Sequence, residues 1–346
     1  MVAAPPPGAP PGRPRGLPAA TDPVRPLPTV IAHTSAPVRS AVLAIALSAA
    51  VAGCGGEAGV PRERLSCEGL AFVPRGGNEP FDGVRCRARR ELLVDRYEVT
   101  RALWRSVRAA STEALPDLSG RLGVVWDGAS LHLPATGMTH PEAAAFASAR
   151  GMRLPTVGEW MFLAAGSRAQ FFPYGQNREI AVANTAEIGL GRPAAAGTFP
   201  GGRTPTGIHD LLGNVWEWTD PPLPFDVDPV TWWLREPPPW GLWVMGGSYL
   251  TPARPLYGIG LHGRRTFHAR GTDPRHRAVD VGLRCVAWAE PYLAAHAAEW
   301  SREGLRDRVR AVGSSWGPRA VPLLERLAAD PSAPAALRWL LEGARR

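Results

Sequence analysis

One short segment near the middle of the chain concentrates the side chains best suited to chemistry. It carries two carboxylates, Asp210 and Glu217, on either side of a turn at Gly213. Glycine lets the backbone curl there, so the carbonyls of Gly213 and Val215 are able to face the same point as both carboxylates. Oxygen ligands of this kind suit a calcium ion. The alternative is a tight turn whose acids cap backbone amides and whose neighbouring tryptophans are ordinary core residues.

Five blocks of sequence, taken in order, resemble the formylglycine-generating enzyme (sulfatase-modifying factor) family. The segment described above supplies the most specific of them, which reads Gly-Ile-x-Asp-x-x-Gly-Asn-Val-Trp-Glu-Trp. Together the blocks span roughly residues 68–288 of the 346. The other four are Asp95-Arg96-Tyr97-Glu98-Val99-Thr100, Arg153-Leu154-Pro155-Thr156 with Glu159-Trp160, Gly246-Gly247-Ser248-Tyr249, and Gly282-Leu283-Arg284-Cys285.

The resemblance implies an α+β, C-type-lectin-like fold with sparse regular secondary structure for residues 68–288. Before this domain we expect a disordered lead and lipoprotein signal peptide over residues 1–53 and a linker over residues 54–67. After it, residues 289–346 are predicted to form a small all-α module of short amphipathic helices that resembles a HEAT-type repeat pair. We interpret this module as a cap or as a docking site for an envelope protein partner. A basic membrane-surface helix is the alternative.

The apolar run before Cys54 is typical of a signal peptide. It extends from Ala41 to Ala52 and is too short to cross a bilayer as a helix. Val51-Ala52-Gly53-Cys54 matches the bacterial lipobox, which predicts lipidation of Cys54. A chance apolar helix that ends in a cysteine is the alternative. The pattern predicts a secreted protein that contacts the membrane through its lipid anchor alone. We expect it on the periplasmic side of the cell envelope, at the outer membrane, because no acidic residue follows Cys54 directly.

Charge alone does not identify a binding partner. The formal net charge is +8, and all 39 basic side chains are arginines. That uniformity indicates compositional bias rather than a surface selected for binding. A balance of this size is compatible with solubility and with contact to anionic surfaces. We therefore predict no nucleic-acid partner.

The resemblance places known site residues onto this chain. The family's second calcium site falls on the side chains of Asp210 and Glu217 and the carbonyls of Gly213 and Val215. Its substrate groove combines an aromatic wall with hydroxyl groups, which suits a peptide or glycan. Those groove positions are Trp216, Ser248, Tyr249 and Thr251. Ordinary core and turn residues are the alternative there. Arginines nearby form a loop that is either solvated or in contact with an anion: Arg264, Arg265, Arg270, Arg275 and Arg277.

Copper chemistry is not expected. Oxidase members of the family hold copper on two cysteines after the Gly-Gly-Ser segment, because thiolates favour Cu(I). Thr251 and Leu256 stand at those positions, so the resemblance implies a pseudoenzyme that does not make formylglycine by the copper route. The main hypothesis is a non-catalytic binding or accessory module. One alternative is a divergent periplasmic modifying enzyme, similar to the family's pyoverdine-maturation protein, which also lacks the cysteines. Another is that the helical tail docks a partner and the domain only stabilises it.

The resemblance also bears on the remaining cysteines. In the family, the cysteine of the last block often pairs with one on the helix before Arg-Leu-Pro-Thr, where this chain has Ala147. That substitution implies that Cys285 is a buried free thiol and that Cys67 pairs with Cys86. The Cys67–Cys86 bond would close a loop of about 20 residues and contribute about 3 kcal/mol.

Local patterns predict the regular elements. Thr100 and Thr139 are typical N-caps, and Pro155 separates the second helix from a third that starts at Thr156. Residues 166–243 are rich in turn-forming residues and predict long ordered loops. Strands are predicted at residues 71–74 and 91–94, and C-terminal helices at residues 293–303, 319–329 and 334–343.

Overall fold

The structure is a computed structural model that describes residues 66–77, 86–166, 172–175, 181–221, 242–253 and 269–346. All of these residues belong to one compact unit, Gly59–Arg346. Several predictions lie outside the described residues. These are the lead and signal peptide with Cys54, most of the linker, Leu256, Arg264 and Arg265.

The strands of the described residues are short. The predictions at residues 71–74 and 91–94 are confirmed within one residue as β1 and β4, and a short strand, β5, lies inside the segment predicted as loop. The strands are β1 Leu70–Val73, β2 Gly76–Gly77, β3 Arg87–Ala88, β4 Leu92–Asp95, β5 Trp216–Trp218, β6 Leu242–Met245, β7 Ala269–Thr272, β8 Val281–Gly282 and β9 Val286–Trp288.

These strands form three small sheets. One has the order β1-β4-β9 and is antiparallel, with Phe72 opposite Leu93 and Leu93 opposite Ala287. The second is the hairpin β2-β3. The third has the order β7-β6-β5-β8, in which only the β5-β8 pair is parallel. This last sheet carries the Trp-Glu-Trp sequence at its centre.

Threonine side chains cap the first three helices, and the caps at Thr100 and Thr139 confirm the prediction. The side chain of Thr100 accepts a hydrogen bond from the Leu103 amide. Thr139 and Thr156 each form a reciprocal capping box with the glutamate three residues later, which satisfies amides that a helix start otherwise leaves unpaired. The helices are α1 Arg101–Ala110, α2 His140–Ser148 and α3 Val157–Ala165.

Four further helices follow β9. The segment predicted as helix over residues 293–303 starts earlier and ends at His296, and the helix Arg306–Trp316 is absent from the prediction. The C-terminal helices are α4 Ala289–His296, α5 Arg306–Trp316, α6 Val321–Ala328 and α7 Ala335–Ala344.

Glycines bring α5 and α7 into backbone contact. A Cβ atom at Gly313 would lie 2.1 Å from the Leu340 carbonyl oxygen, and one at Gly343 would lie 2.0 Å from the Arg310 carbonyl oxygen. Any larger side chain would push the two helices apart. Because Gly313 interrupts the apolar pattern of α5, the sequence alone gave a weak helix signal there.

The C-terminal helices share a hydrophobic core with the rest of the unit. Trp316 donates a hydrogen bond from Nε1 to the Leu70 carbonyl at 3.0 Å, and Trp300 donates one to Ser66 Oγ at 3.1 Å. Arg308 forms two 2.9 Å hydrogen bonds with the Glu68 carboxylate. The helices therefore cover β1 from the opposite end of the chain. None of the helices in the described part of the chain has the length and apolar character needed to cross a bilayer.

The predicted disulfide between Cys67 and Cys86 is wrong. Cys67, Cys86 and Cys285 are all buried and none is in a disulfide. Cys67 packs in the cluster that contains Trp300, whereas Cys86 packs with Phe162 in a second cluster. Burial raises the pKa of the Cys67 thiol to about 12. Sequence spacing permits a loop of that size but does not indicate which core each cysteine enters. The buried thiol predicted at Cys285 is confirmed.

Candidate functional site

A buried ion pair lies at the centre of the domain. Glu217 in β5 is almost fully buried and Arg284, which follows β8, is completely buried. Arg284 Nη2 donates to Glu217 Oε1 at 2.7 Å, and Nε lies 3.1 Å from both carboxylate oxygens. Trp160 Nε1 donates to Glu217 Oε2 at 2.7 Å. Both oxygens of the predicted calcium ligand Glu217 are therefore engaged by protein donors.

The same arginine ties three separate segments together. Arg284 Nη1 donates to the Asp95 carbonyl at 2.7 Å, at the end of β4, and Nη2 donates to the His209 carbonyl at 2.7 Å. Together with Glu217, these partners place every part of the guanidinium in a fixed position. Buried charges are tolerated when they are paired in this way.

Two more carboxylates lie close to this ion pair. Asp210 Oδ2 accepts a hydrogen bond from the Gly197 amide at 2.6 Å. Glu98 accepts hydrogen bonds from the Val215 amide at 3.0 Å and from the Asn214 side chain. Burial, aided by repulsion from Glu217, raises the pKa of Asp210 to about 6. Burial, together with Asp210 and Glu217, also raises the pKa of Glu98. The carboxylates of Glu98, Asp210 and Glu217 thus all interact electrostatically with Arg284.

The turn between the two predicted carboxylate ligands requires glycine. Gly213 has a φ of +76°, and a Cβ atom there would lie 2.3 Å from the Asn184 carbonyl oxygen. The next residue, Asn214, also has positive φ, donates its amide to the Asn184 carbonyl at 2.7 Å and accepts from the Ala194 amide at 2.9 Å. The turn is therefore locked against a neighbouring loop by direct backbone contact.

The donor set does not form a ready calcium site in this arrangement. Asp210, Gly213, Val215 and Glu217 lie in one buried region, but the Arg284 guanidinium engages both Glu217 oxygens. In the part of the chain that the structure describes, no group of three or more His, Cys, Asp or Glu residues is arranged to hold a metal ion. A calcium ion would require Arg284 to move away from Glu217. Calcium binding therefore stays a prediction.

The predicted groove residues converge on an aspartate that the sequence interpretation missed. Ser248 Oγ donates to Asp280 Oδ2 at 2.9 Å, and the Ser248 amide donates to Thr251 Oγ1 at 3.0 Å. The Trp216 amide donates to the Asp280 carbonyl at 2.8 Å. Burial, with the nearby Asp280 charge, raises the pKa of Tyr249. Asp280 immediately precedes the Val281-Gly282 strand, and that position is the only sequence signal that could have found it.

Most of these predicted groove residues are buried rather than exposed. Ser248, Tyr249 and Trp216 are all buried, as the alternative of core tryptophan and turn serine requires. Thr251 is partly exposed. Two apolar residues next to them in the sequence are exposed: Leu250, which follows Tyr249, at 57% and Val279, which precedes Asp280, at 37%. The accessible rim of the site therefore consists of Thr251 and these flanking residues.

Strand β7 carries two buried polar atoms that have no hydrogen-bond partner among the described residues. The Arg270 guanidinium carbon lies 4.9 Å from the centre of the Trp216 ring. Its Nη2 atom is buried without a hydrogen-bond partner, and so is Oγ1 of Thr272, a residue that is only 8% exposed. Residues two apart on a strand face the same side, so both groups lie on the Trp216 face of the sheet. Native structures seldom leave such groups unpaired.

Of the other arginines predicted in the basic loop, one forms an internal ion pair and one is exposed to solvent. Arg277 Nη2 donates to Glu142 Oε1 at 2.8 Å and so supports the start of α2. Arg275 is exposed. Only Arg270 among the described arginines of this loop lies over the ring of Trp216.

The chain belongs to the sulfatase-modifying factor enzyme 1-like domain family, whose model matches residues 63–289. This match confirms the resemblance drawn from the five sequence blocks. The described residues have the mixed helix and sheet structure that was expected.

Relatives in this family include both active and inactive proteins. The chain is 30% identical over 175 residues to a formylglycine-generating enzyme of Mycobacterium tuberculosis, covering 44% of this chain and 57% of that protein. It is 29% identical over 170 residues to an inactive C-alpha-formylglycine-generating enzyme 2 of Mus musculus, covering 46% and 50%. The chain thus spans little more than half the length of these curated relatives. Among solved structures it is similar to PvdO from Pseudomonas aeruginosa, with 21% identity, a TM-score of 0.47 and coverage of 64% and 96%.

Proposed function

We propose that this protein is a cell-envelope lipoprotein whose C-type-lectin-like domain serves as a non-catalytic binding or accessory module for a peptide or glycan. In this proposal residues 289–346 form an all-α module attached to that domain. The inactive relative in mouse supports a role without formylglycine chemistry, because it carries the family domain under an inactive name. Thr251 at the position of a copper-binding cysteine supports it further.

The observation that carries the proposal is the pair of unsatisfied polar groups on β7. A buried donor without a partner costs about 1–3 kcal/mol, and a charged one costs more. Within the described part of the chain, Arg270 Nη2 and Thr272 Oγ1 have no hydrogen-bond partner, and the Arg270 guanidinium lies over the Trp216 ring. A ligand that supplies an acceptor to Arg270 would recover this cost on binding. The exposed Leu250 and Val279 would add apolar contact at the rim.

Binding to immobilised peptide and glycan arrays by the full chain tests this proposal. We expect Arg270→Ala and Thr272→Val to weaken retention of the best ligand at least tenfold. Arg275→Ala is the matched control, because Arg275 is an exposed arginine of the same loop. The proposal fails if the Arg270 and Arg275 variants retain ligand equally, or if the wild-type chain retains none.

A divergent modifying enzyme is the second candidate, and one contact favours it. Ser248 Oγ donates to Asp280 Oδ2 at 2.9 Å, an arrangement in which a carboxylate is placed to accept a hydroxyl proton. Peptides of the sulfatase type, offered with copper and oxygen, should be analysed by mass. Turnover that disappears in Asp280→Asn would replace the binding proposal with an enzymatic one. Aldehyde formation by the wild-type chain would contradict the prediction that the copper route is absent.

Calcium is proposed as a structural ion only. Asp210 and Glu217 would contribute carboxylates and Gly213 and Val215 carbonyls, once Arg284 had moved. If the ion binds, calcium at one hundred times its dissociation constant should raise the free energy of unfolding by about 2.7 kcal/mol over chelator. Asp210→Asn should abolish that difference. Identical melting curves with calcium and with chelator would remove the ion from the proposal.

The envelope location and the partner are proposals with separate tests. Mass spectrometry of the mature N-terminus should show lipid on Cys54, and an unmodified peptide spanning Arg39 to Arg62 would contradict it. For an envelope protein partner, a photo-cross-linker at the exposed Arg338 of α7 should capture one product that the same probe at Arg105 of α1 does not. Equal capture from both positions would argue against docking through the C-terminal helices.

A further inference from the structure

Two cavities lie side by side where the family domain meets the C-terminal helices, away from the groove. The first has a volume of about 430 Å³ and is lined by residues of both parts, including Arg90 and Trp288 from the domain and Arg326 from α6. The second, of about 340 Å³, is lined by residues such as Phe162 of α3 and Arg319 near the end of α5. Arg75 belongs to the walls of both cavities.

The first cavity, here called the arginine cleft, has an excess of positive charge. Its walls include four arginines and two glutamates. One glutamate, Glu290, already pairs with Arg326 at 3.0 Å. Arg75 and Arg90 of the same wall are suited to an anionic group, because guanidinium groups bind phosphate and carboxylate oxygens in pairs.

An exposed tryptophan forms part of the arginine cleft. Trp288 keeps 44% of its surface exposed. The guanidinium carbons of Arg90 and Arg153 lie 4.8 and 5.2 Å from its ring centre. Arg153 is held by two 2.7 Å hydrogen bonds to Glu159, so its charge is compensated. Arg90 stacks on the ring within the cleft, which positions its guanidinium at low cost in side-chain entropy.

The second cavity has the opposite character. Apolar side chains form most of its wall, among them Val73, Phe162, Leu163 and Pro205. Arg319 lies at its border and donates to the Pro205 carbonyl at 3.2 Å. A hydrocarbon chain in such a cavity leaves water, which contributes favourably in proportion to the buried area. A purely polar ligand such as a free phosphate or a sugar makes no use of this space.

We propose that the two cavities together form a site for an anionic amphiphile. The anionic head lies in the arginine cleft against Arg90 and Arg75, and the hydrocarbon chain enters the apolar cavity beside Phe162. The site needs both the family domain and the C-terminal helices, because each supplies part of the walls. It does not depend on the groove or on its ligand.

Calorimetric titration of the full chain with single alkyl phosphates, from ethyl to octyl, tests the proposal. The affinity should rise about fourfold for each added CH₂ until the cavity is filled, and inorganic phosphate should bind far more weakly than octyl phosphate. Equal affinity for inorganic and octyl phosphate would reduce the site to a phosphate site and overturn the proposal. So would equal affinity for octyl phosphate and the neutral octyl glucoside, since the head would then play no part.

Surface variants test the location without disturbing the core. Arg90→Glu should weaken octyl phosphate binding at least tenfold, because it reverses a charge inside the cleft. Arg105→Glu reverses another exposed arginine, on α1 and outside the cleft, and should leave binding unchanged. If the two variants bind alike, the amphiphile does not occupy the arginine cleft and the proposal fails.

Discussion

The buried charged centre and the groove differ in how their arginines are hydrogen-bonded. At the centre, Arg284 donates hydrogen bonds to Glu217, Asp95 and His209, all inside the protein. On β7, one guanidinium nitrogen of Arg270 has no hydrogen-bond partner in the part of the chain that the structure describes. The first arginine therefore stabilises the fold, whereas the second is suited to an external acceptor. This contrast distinguishes a structural arginine from the arginine of the proposed binding site.

The largest effect is expected from Arg284→Met. It removes the only cation in contact with Glu217 in the described part of the chain and leaves buried carboxylates without compensation. Breaking a buried pair of this kind costs about 3–5 kcal/mol. Urea unfolding of the purified variant measures the loss. A change below about 0.5 kcal/mol would show that the centre is not a stabilising ion pair.

Gly213→Ala should cost about 2–4 kcal/mol, because the new Cβ would meet the Asn184 carbonyl oxygen at 2.3 Å in a left-handed backbone conformation. Gly189→Ala is the matched control. Gly189 has a similar φ of +72° but has no atom within 4 Å of its Cβ position. Its substitution should cost only about 1 kcal/mol of backbone strain. Equal losses in thermal unfolding would mean that packing of the turn on Asn184 is unimportant.

The Glu142 carboxylate forms a charge cluster with Arg121 and Arg277 near the surface. Burial raises the pKa of Glu142, but hydrogen bonds from Arg277, the Thr139 amide and Arg121 outweigh it and lower the pKa to about 2. The carboxylate therefore contributes stability above its ordinary pKa of 4.5, and this contribution is lost as the pH falls towards 2. Glu142→Gln should cost about 1–2 kcal/mol at neutral pH, since solvent screens a partly exposed group.

Acid unfolding compares this variant with the wild type. The difference in unfolding free energy between the two proteins should shrink steadily below pH 4.5. Exposed Glu113→Gln is the control and should show no such convergence. A constant Glu142 difference at every pH would contradict the ion-pair explanation.

The smallest effect on stability is expected from Arg270→Met. It removes the cost of the unpaired Nη2 atom but also the contact between the guanidinium and the Trp216 ring. The two effects offset each other, so the free energy of unfolding should change by less than about 0.5 kcal/mol or even rise. Urea unfolding of Arg270→Met and Arg284→Met under the same conditions compares the contributions of the two arginines to the free energy of unfolding. A loss of several kcal/mol would show that Arg270 is a structural residue, as Arg284 is, and would contradict the difference between the two regions.

Local signals in the sequence were sufficient for part of the fold. The N-cap threonines at Thr100, Thr139 and Thr156 depend on neighbours three residues away, so their helices were predictable. Helix α5 was missed because its stability depends on close contact between Gly313 and α7, about thirty residues later. The error at Cys67 and Cys86 has the same origin, since core membership is a tertiary property.

The candidate site was only partly predictable for a related reason. The five blocks grouped Ser248, Thr251 and Trp216 in one predicted groove, but Asp280 was identified only through its contacts with Ser248 and Trp216. Burial of Trp216 and Ser248 was equally hidden, because a sequence motif does not distinguish a groove wall from the layer beneath it. Arg270 was one of five equivalent arginines until its distance to Trp216 set it apart.

The contact between Trp316 and Leu70 determines when the domain completes its folding during biosynthesis. The Trp316 indole bonds to Leu70, a strand residue 246 positions earlier, so the first strand of the domain stays uncovered until the last helices leave the ribosome. We expect folding to be completed after synthesis and not during it. Pulse proteolysis of ribosome-bound chains ending before residue 306 should cleave near β1, and protection there would contradict this order.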